Sequence, residues 1–487
     1  MTSRPDDTIP LDLETAGVPE IQAAMQDGSV TAEQLVLAYL DRIARFDPLV
    51  NAVRCIAPDA VGQARALDDE RAVSGARGPL HGVPVLVKDN IDVAGLPTTG
   101  GTIALRNNVP SADAPLVRRL RDAGAVVLGK TNLTEMANFM ARNMPSGYSS
   151  LGGQVLNPYD TTVTPCGSSS GSGAAAALGL ATLTVGSETD GSILCPASMQ
   201  GVVGVKPTVG LVSSGGILPI APSQDTAGPM TRTVHDAAVL LTAMVGADAA
   251  TTAPGRLKPV DYAAALGSVA LQGLRLAVPA PPGDVHAADL ELFEQAQRQL
   301  ESAGAVLVRT PALVTTDEVP VLLHEFGPAL AAYLATIPAP AVRDLAELVA
   351  FNTTHADVTL KYGQALLEEA LAIDHVANHA AYTALRARDR AVAGGHGIDA
   401  VLAAYDVTAL LVPGASACGV AARAGYPSVT VPAGVRQHGR RPFGVTFLGA
   451  AWSEQQLLAI AYAYEQVSKA RVLVSQANPW LVAAAGG

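Results

Sequence analysis

Aromatic side chains are scarce in this sequence of 487 residues: seven Phe, eleven Tyr and two Trp make up 4% of it. Charged residues reach only 16%, and cysteine occurs four times. Each shortage excludes something. So little charge beside 49% hydrophobic residues rules out wholesale disorder and permits a large core. Acidic residues outnumber basic ones by 44 to 32, giving a net charge of −12, and no long Lys/Arg run interrupts that balance. Nucleic acid and anionic membrane surfaces are therefore not expected as partners. Cys55, Cys166, Cys195 and Cys418 form no CxxC pair; a disulfide framework is not expected, and a reducing, cytoplasmic location is the simpler reading. Met1–Leu11 carries Asp and Pro where a signal peptide has its apolar region. No uninterrupted apolar run approaches the roughly eighteen residues of a membrane span. Also missing are HExxH and any Ser with Lys three positions on, which removes two common catalytic readings, and the Ser/Gly-rich stretch 166–173 carries no GxxxxGK[ST] phosphate loop. His375 and His379 stand four apart on an expected helix, but no third ligand is evident, so no metal is expected.

What is present is an alternation of short apolar runs and helical patterns. Helices are expected over 17–26, over Leu35–Phe46 behind the capping-box spacing Thr31–Gln34, and over Asp59–Val73. A strand at Val83–Lys88 follows, then a helix at Pro115–Ala123, a strand at Ala125–Leu128 and a helix at Leu133–Phe139. Further on come a helix at Ser172–Leu180, a strand at Thr182–Val185 and a helix at Val234–Val245. From about 250 to 400 the pattern is Ala- and Leu-rich, with helices at 288–303, 317–335, 360–373 and 378–393 and strands only at Leu274–Val278 and Ala305–Val308. Strands resume at Thr408–Val412, Ser428–Val431 and Phe443–Leu448 before a last helix at 453–469. This order predicts an α/β fold, a mixed β-sheet core covered by α-helices on both faces. It reads as one domain over 1–487: N-terminal helices (1–75), a core (78–245) and a helical insertion or cap (about 250–400).

Two Ser/Gly-rich loops flank one helix–strand unit: Cys166-Gly-Ser-Ser-Ser-Gly-Ser-Gly173 and Gly186-Ser-Glu-Thr-Asp-Gly-Ser192. Such segments expose backbone N–H groups that hold an anion or a developing oxyanion. Gly167–Gly171 also matches G-x-S-x-G, which makes Ser169 the nucleophile of an α/β-hydrolase-type esterase. That elbow needs a strand before it, and Pro165 argues against one. Lys88 ends an apolar run; a salt-bridged strand-end lysine is the ordinary reading of it, and a desolvated base the alternative. Cys195, close to Ser192, reads as a buried structural cysteine, because no histidine adjoins it to activate a thiol. His81 and His235 lie near these motifs without an evident role.

Taken together, Gly82–Asn90, Gly167–Ser172 and Gly186–Ser192, with 24 positions between Ser168 and Ser192, resemble the amidase signature family. Gly129-Lys-Thr-Asn-Leu133, Gly204-Val-Lys-Pro-Thr208 and Gln224-Asp-Thr-Ala-Gly-Pro229 strengthen the likeness, which is dense over 78–245. Gly186–Pro196, Gly152–Gln154, Ala451–Glu454 and Ala461–Glu465 are most similar to bacterial peptide amidases. The resemblance implies an amidohydrolase that needs no cofactor, working through Ser192 as nucleophile, Ser168 as bridging serine and Lys88 as terminal base. It implies a cis peptide bond at Gly167–Ser168, assistance from Ser169, and an oxyanion hole from the N–H groups of Thr189, Asp190, Gly191 and Ser192. The implied substrate is a small-molecule or short-peptide amide, foremost a C-terminal peptide amide; aryl acylamides, esters and carbamates share the chemistry, and an amidotransferase-like or non-catalytic subunit is the reading from another class. Two departures stand out. Leu194 occupies a position where many members have arginine, and Asp190 replaces a common glycine, so its carboxylate must point away from the oxyanion. The helical section at 310–395 is expected to shape the entrance and to favour uncharged, partly apolar substrates.

Overall fold

The computed structural model describes residues 9–246, 260–283, 285–314, 316–317, 319–437 and 440–486. The first eight residues of the segment read for a signal peptide lie outside these, as does the start of the helical section expected from about 250.

Thirteen strands are described: β1 (Val53–Ile56), β2 (Pro84–Lys88), β3 (Val126–Thr131), β4 (Tyr148–Ser149), β5 (Gly153–Gln154), β6 (Leu183–Glu188), β7 (Val203–Lys206), β8 (Thr226–Thr231), β9 (Arg275–Pro279), β10 (Val306–Thr310), β11 (Ala409–Pro413), β12 (Ser428–Val435) and β13 (Pro442–Leu448). Eleven of them form one mixed sheet in the order β1-β3-β2-β6-β8-β7-β12-β13-β11-β9-β10, and β4 and β5 make a separate small hairpin. The large sheet has two parallel stretches, β3-β2-β6 and β11-β9-β10, joined through antiparallel pairs in the middle. The expected mixed α/β architecture is what forms.

β2 is buried at every residue, as are β3 and β6. That explains their near-continuous apolar spelling, which belongs to parallel strands covered on both faces. Between β5 and β6, the helix Ser170–Leu178 is buried all round. Only its Ser, Gly and Ala side chains allow such an approach: a Cβ on Gly171 would lie 2.4 Å from the carbonyl oxygens of Ala52 and Asn132. The section 275–310 supplies β9, the helix Ala287–Ser302 and β10 to the main sheet. The purely helical cover is later, from Val319–Leu334 to His379–Arg390. There Phe326, Leu330 and Leu348 pack with Leu105, Met136, Phe139 and Leu218 in a second apolar cluster, so the cover sits on loops that leave the sheet edge.

Leu133–Phe139, expected as a helix, is instead a loop with a short 3₁₀ turn at Glu135–Asn138. Met136, Ala137 and Asn138 all have positive φ (47°, 53° and 75°), a left-handed turn that propensity arguments on Ala and Met miss. The cysteine readings are also corrected: where no disulfide framework was expected and Cys195 read as a buried structural cysteine, Cys166 and a half-buried Cys195 form a disulfide with Cα atoms 5.9 Å apart. They are distant in sequence, yet the two Ser/Gly loops that carry them meet at one sheet edge. The case for a reducing compartment rested partly on unpaired cysteines and loses that support. Among the described residues no helix is long and apolar enough to cross a membrane.

Candidate active site

β3, β2 and β6 run parallel side by side, so their C-terminal ends share one edge, the usual place for a site in an open α/β sheet. Register pairs Val87 with Val185, which brings Lys88 at the end of β2 beside the last residues of β6. The lysine side chain is wholly buried. Its Nζ lies 2.8 Å from Ser168 Oγ, 2.9 Å from Ser187 Oγ and 3.1 Å from the Ser187 carbonyl oxygen. Asn90 Nδ2 in turn donates to Ser187 Oγ at 2.9 Å. This geometry has a chemical meaning. In a neutral amine, two hydrogens go to the two Ser187 oxygens, and the lone pair is left facing the Ser168 hydroxyl.

Burial pushes Lys88 down to about 7, with Glu188 and then Asp225 opposing the shift. A lysine in that range is partly neutral near pH 7, as a base must be. The salt bridge of the ordinary reading does not form at Lys88 among the described residues; one does at Lys130, whose Nζ lies 3.4 Å from Asp89 Oδ1, both side chains wholly buried.

Ser168 follows a cis Gly167–Ser168 peptide bond, and its carbonyl accepts from Thr134 N at 3.0 Å. Ser169 Oγ donates to the Ser187 carbonyl at 3.0 Å, and Ser169 N donates to the Ser192 carbonyl at 3.1 Å. The first Ser/Gly loop is thus stitched to the second. Gly186 is obligatory for that contact, because a Cβ there would meet Met230 Sδ at 2.8 Å and Ser169 Oγ at 2.9 Å.

The second loop turns through Gly191, at φ 76°, into the short helix Leu194–Met199. The Glu188 carboxylate accepts from Ile193 N at 2.7 Å and Leu194 N at 3.0 Å. Those donors are satisfied, whereas the amides of Thr189, Asp190, Gly191 and Ser192 donate to no group among the described residues. The Ser192 hydroxyl, too, has no hydrogen-bond partner among them, and Ser192 is 6% exposed. Asp190 Oδ2 would lie 3.3 Å from a Cβ on Gly419, so its carboxylate turns toward the helix Cys418–Ala424. The Cys166–Cys195 bond joins the residue two before Ser168 to the residue three after Ser192.

Around this centre the charges are paired or suppressed. Burial raises Asp225 to about 7 against the opposing bonds from Thr189 Oγ1, Ile220 N and Ala221 N. Burial also raises Glu188, with Lys206 as its main counterweight. Ser168, Ser187, Thr189, Asp225, Asn90 and Ala137 line a small cleft over the lysine.

Sequence reasoning picks out Ser192, Ser168, Lys88, Ser169 and Gly167, and these lie at one edge. It misses Ser187, Asn90 and Asp225. Ser187 and Asn90 flank picked residues, but nothing in a linear sequence says that a backbone carbonyl will aim an amine. The histidines fall elsewhere. His375 packs its ring against His324 at 4.8 Å, His379 leans on Tyr382, and His81 Nε2 meets the Leu67 carbonyl at 2.8 Å. No group of three or more His, Cys, Asp or Glu among the described residues is placed to hold a metal ion. Ser169 lacks the strand that an α/β-hydrolase elbow requires, since no strand lies between Gln154 and Leu183. Exchanging Ser187 for alanine leaves one oxygen to hold Lys88, and kcat is expected to fall about tenfold with KM little changed; steady-state kinetics on any accepted amide checks this.

Comparison with known proteins shows the family. A match to the family described as Amidase spans residues 34–458. The native peptide amidase of Stenotrophomonas maltophilia superposes with a TM-score of 0.90 at 46% identity, covering 95% of this chain and 98% of that one. A probable amidase of Arabidopsis thaliana is 36% identical over 477 residues, covering 94% of this chain and 91% of its own. A glutamyl-tRNA(Gln) amidotransferase subunit from Exiguobacterium sibiricum is 33% identical, over 92% of this chain and 96% of its own. With the family match running through most of the chain and such a neighbour superposing over 95% of it, the protein belongs to the amidase signature family and is an amide-hydrolysing enzyme.

Proposed function

We propose that the enzyme hydrolyses carboxylic amides through an acyl-enzyme on Ser192, with C-terminal peptide amides as its substrates. The observation that carries the mechanism is the 2.8 Å contact between Ser168 Oγ and the buried, depressed Lys88 amine. Ser192 Oγ attacks the carbonyl carbon; its proton passes to Ser168 Oγ while the Ser168 proton passes to the Lys88 lone pair. The carbonyl oxygen, now negative, takes hydrogen bonds from the free amides of Thr189–Ser192. Such donors act where charge develops, and each is commonly worth about 10²–10³ in turnover. The lysine proton then returns through Ser168 to the leaving nitrogen, and the C–N bond breaks. Water then attacks the acyl carbon, its proton passing through Ser168 to Lys88; that proton returns through Ser168 to Ser192 Oγ as the ester bond breaks and the acid leaves. Ser169 braces the path through Ser187, and no step needs a metal or cofactor.

The substrate class rests on the 46% identity to a peptide amidase and on the apolar cluster that the helical cover forms with the loops beside the cleft. Purified protein should release ammonia from a peptide amide faster than it cleaves an anilide, ester or carbamate of the same acyl group. A preference for the anilide, ester or carbamate would move the substrate reading and leave the mechanism. The likeness to amidotransferase subunits supports a second reading, in which the chain acts only with partners; it gains if the isolated protein hydrolyses none of the panel.

A further inference from the structure

Two elements from distant parts of the chain press on the nucleophile loop. In the first, Asp225 accepts the Thr189 hydroxyl on Oδ1 and the amides of Ile220 and Ala221 on Oδ2 (2.9 and 3.0 Å), so the turn 220–225 is tied to the start of the loop. The second is the helix Cys418–Ala424. A Cβ on Gly191 would meet Cys418 Sγ at 3.1 Å, and one on Gly419 would meet both Asp190 Oδ2 (3.3 Å) and Arg423 Nη1 (2.6 Å). The four amides of Thr189–Ser192 therefore hang between two supports that come from different parts of the chain.

One side chain of the helical cover touches both supports. On the helix His379–Arg390, Arg386 donates from Nη2 to the Ser223 carbonyl at 2.9 Å and from Nη1 to the Arg423 carbonyl at 2.7 Å. Glu325, on the helix Val319–Leu334, completes the clamp: its carboxylate accepts from Ser223 N and from Tyr382 Oη, each at 2.9 Å. A planar guanidinium with two donors in fixed geometry sets the spacing of the carbonyls it bridges, which an ammonium on a flexible stem does not.

We infer that Arg386 is a positioning residue for the nucleophile loop, fixing the gap between the Ser223 turn and the Arg423 helix so that the four amides stay aimed at the oxyanion. This rests on the proposed role of those amides. It gives the cover a task beyond shaping an entrance: the loop is in register only while the cover is seated. Arg386 touches neither substrate nor reacting atoms.

The test is kinetic. Arg386→Met keeps the stem and removes both donors; kcat for the preferred amide is expected to fall about 10- to 100-fold with KM within about twofold. Affinity for a peptide boronate, which becomes tetrahedral on Ser192, should weaken by the same factor, while affinity for the acid product stays. Arg386→Lys should recover part of the loss, and millimolar guanidinium added to Arg386→Met should recover more. Thr189→Val cuts the other tie on the same loop, so the double variant should lose much less than the product of the single losses. An unchanged kcat in Arg386→Met, equal weakening of boronate and product, or losses that simply multiply would each overturn the inference. If Arg386→Met does not fold, Arg386→Lys and its double variant with Thr189→Val carry the same comparison. Failure of the underlying reading looks different: wild-type protein would then form no boronate adduct at Ser192.

Discussion

Replacing Ser192 by alanine is expected to lower kcat by about 10⁴-fold or more, to the level that binding and the loop amides alone sustain. The size follows from the step that is removed. Without the hydroxyl there is no acyl-enzyme, and the remaining route is direct attack by water, a far weaker nucleophile than an activated, positioned serine. Folding should be untouched, because the Ser192 hydroxyl has no partner among the described residues and only its carbonyl holds Ser169. Ser169→Ala is the informative companion. Its hydroxyl donates to the Ser187 carbonyl, so its loss slackens the support under Lys88 and should reduce kcat by about 10- to 100-fold without preventing acylation. Mass spectrometry of trapped acyl-enzyme separates the two. Acyl adduct on Ser192→Ala, or none on Ser169→Ala, would return the nucleophile to the G-x-S-x-G reading.

Lys88→Met should be nearly as damaging, with a loss of about 10³-fold or more in kcat. A similar volume is kept in the strand while the proton acceptor is removed. Lys88 titrates near 7, so kcat/KM of the wild type should rise with pH along a limb centred there, as the ammonium becomes amine. That limb should be absent from the residual activity of Lys88→Met. Asp225 also lies near 7, and Asp225→Asn distinguishes the two by keeping the limb. Stability carries the same signature with its own sign. Lys88 is depressed in the folded chain, from a value of 10.5, so between about pH 7 and 10 the unfolded chain binds the extra proton. Wild-type stability should then climb with pH across that window relative to Lys88→Met. Below pH 7 both states hold the proton and the difference is flat. Thermal melts at pH 6, 8 and 10 check the slope; an identical pH dependence for both proteins contradicts a neutral lysine.

The fold class was legible because β2, β3 and β6 are spelled as buried parallel strands, and because caps such as Thr31 mark their helices plainly. The strands β7 and β8 were not. Gly204, Lys206, Gly228 and Pro229 interrupt their apolar pattern, and they are strands because neighbours on both sides complete their ladders. The left-handed turn at Met136–Asn138 defeated the helix expected there, since tertiary anchoring of Met136 N on the Gly100 carbonyl outweighs propensity. For the candidate site, the serines and the lysine could be named only through the motifs that carry the family resemblance. Ser187, Asn90 and Arg386 could not, because their work is done by a carbonyl, an amide and a guanidinium whose partners lie 37 to 163 positions away.

The disulfide has a topological consequence. Cys166 and Cys195 are 29 positions apart, and the covalent ring they close contains Ser168, Ser169 and Ser192 but not Lys88. However far the rest of the chain opens, the serines remain on one tethered circle, and only the lysine can leave. A protease that nicks the backbone anywhere inside the circle yields two pieces that still migrate as one until a reductant is added. The proposed nucleophile and bridging serine are thus inherited as a single covalent unit, and the proposed base has to be recruited to it by the sheet.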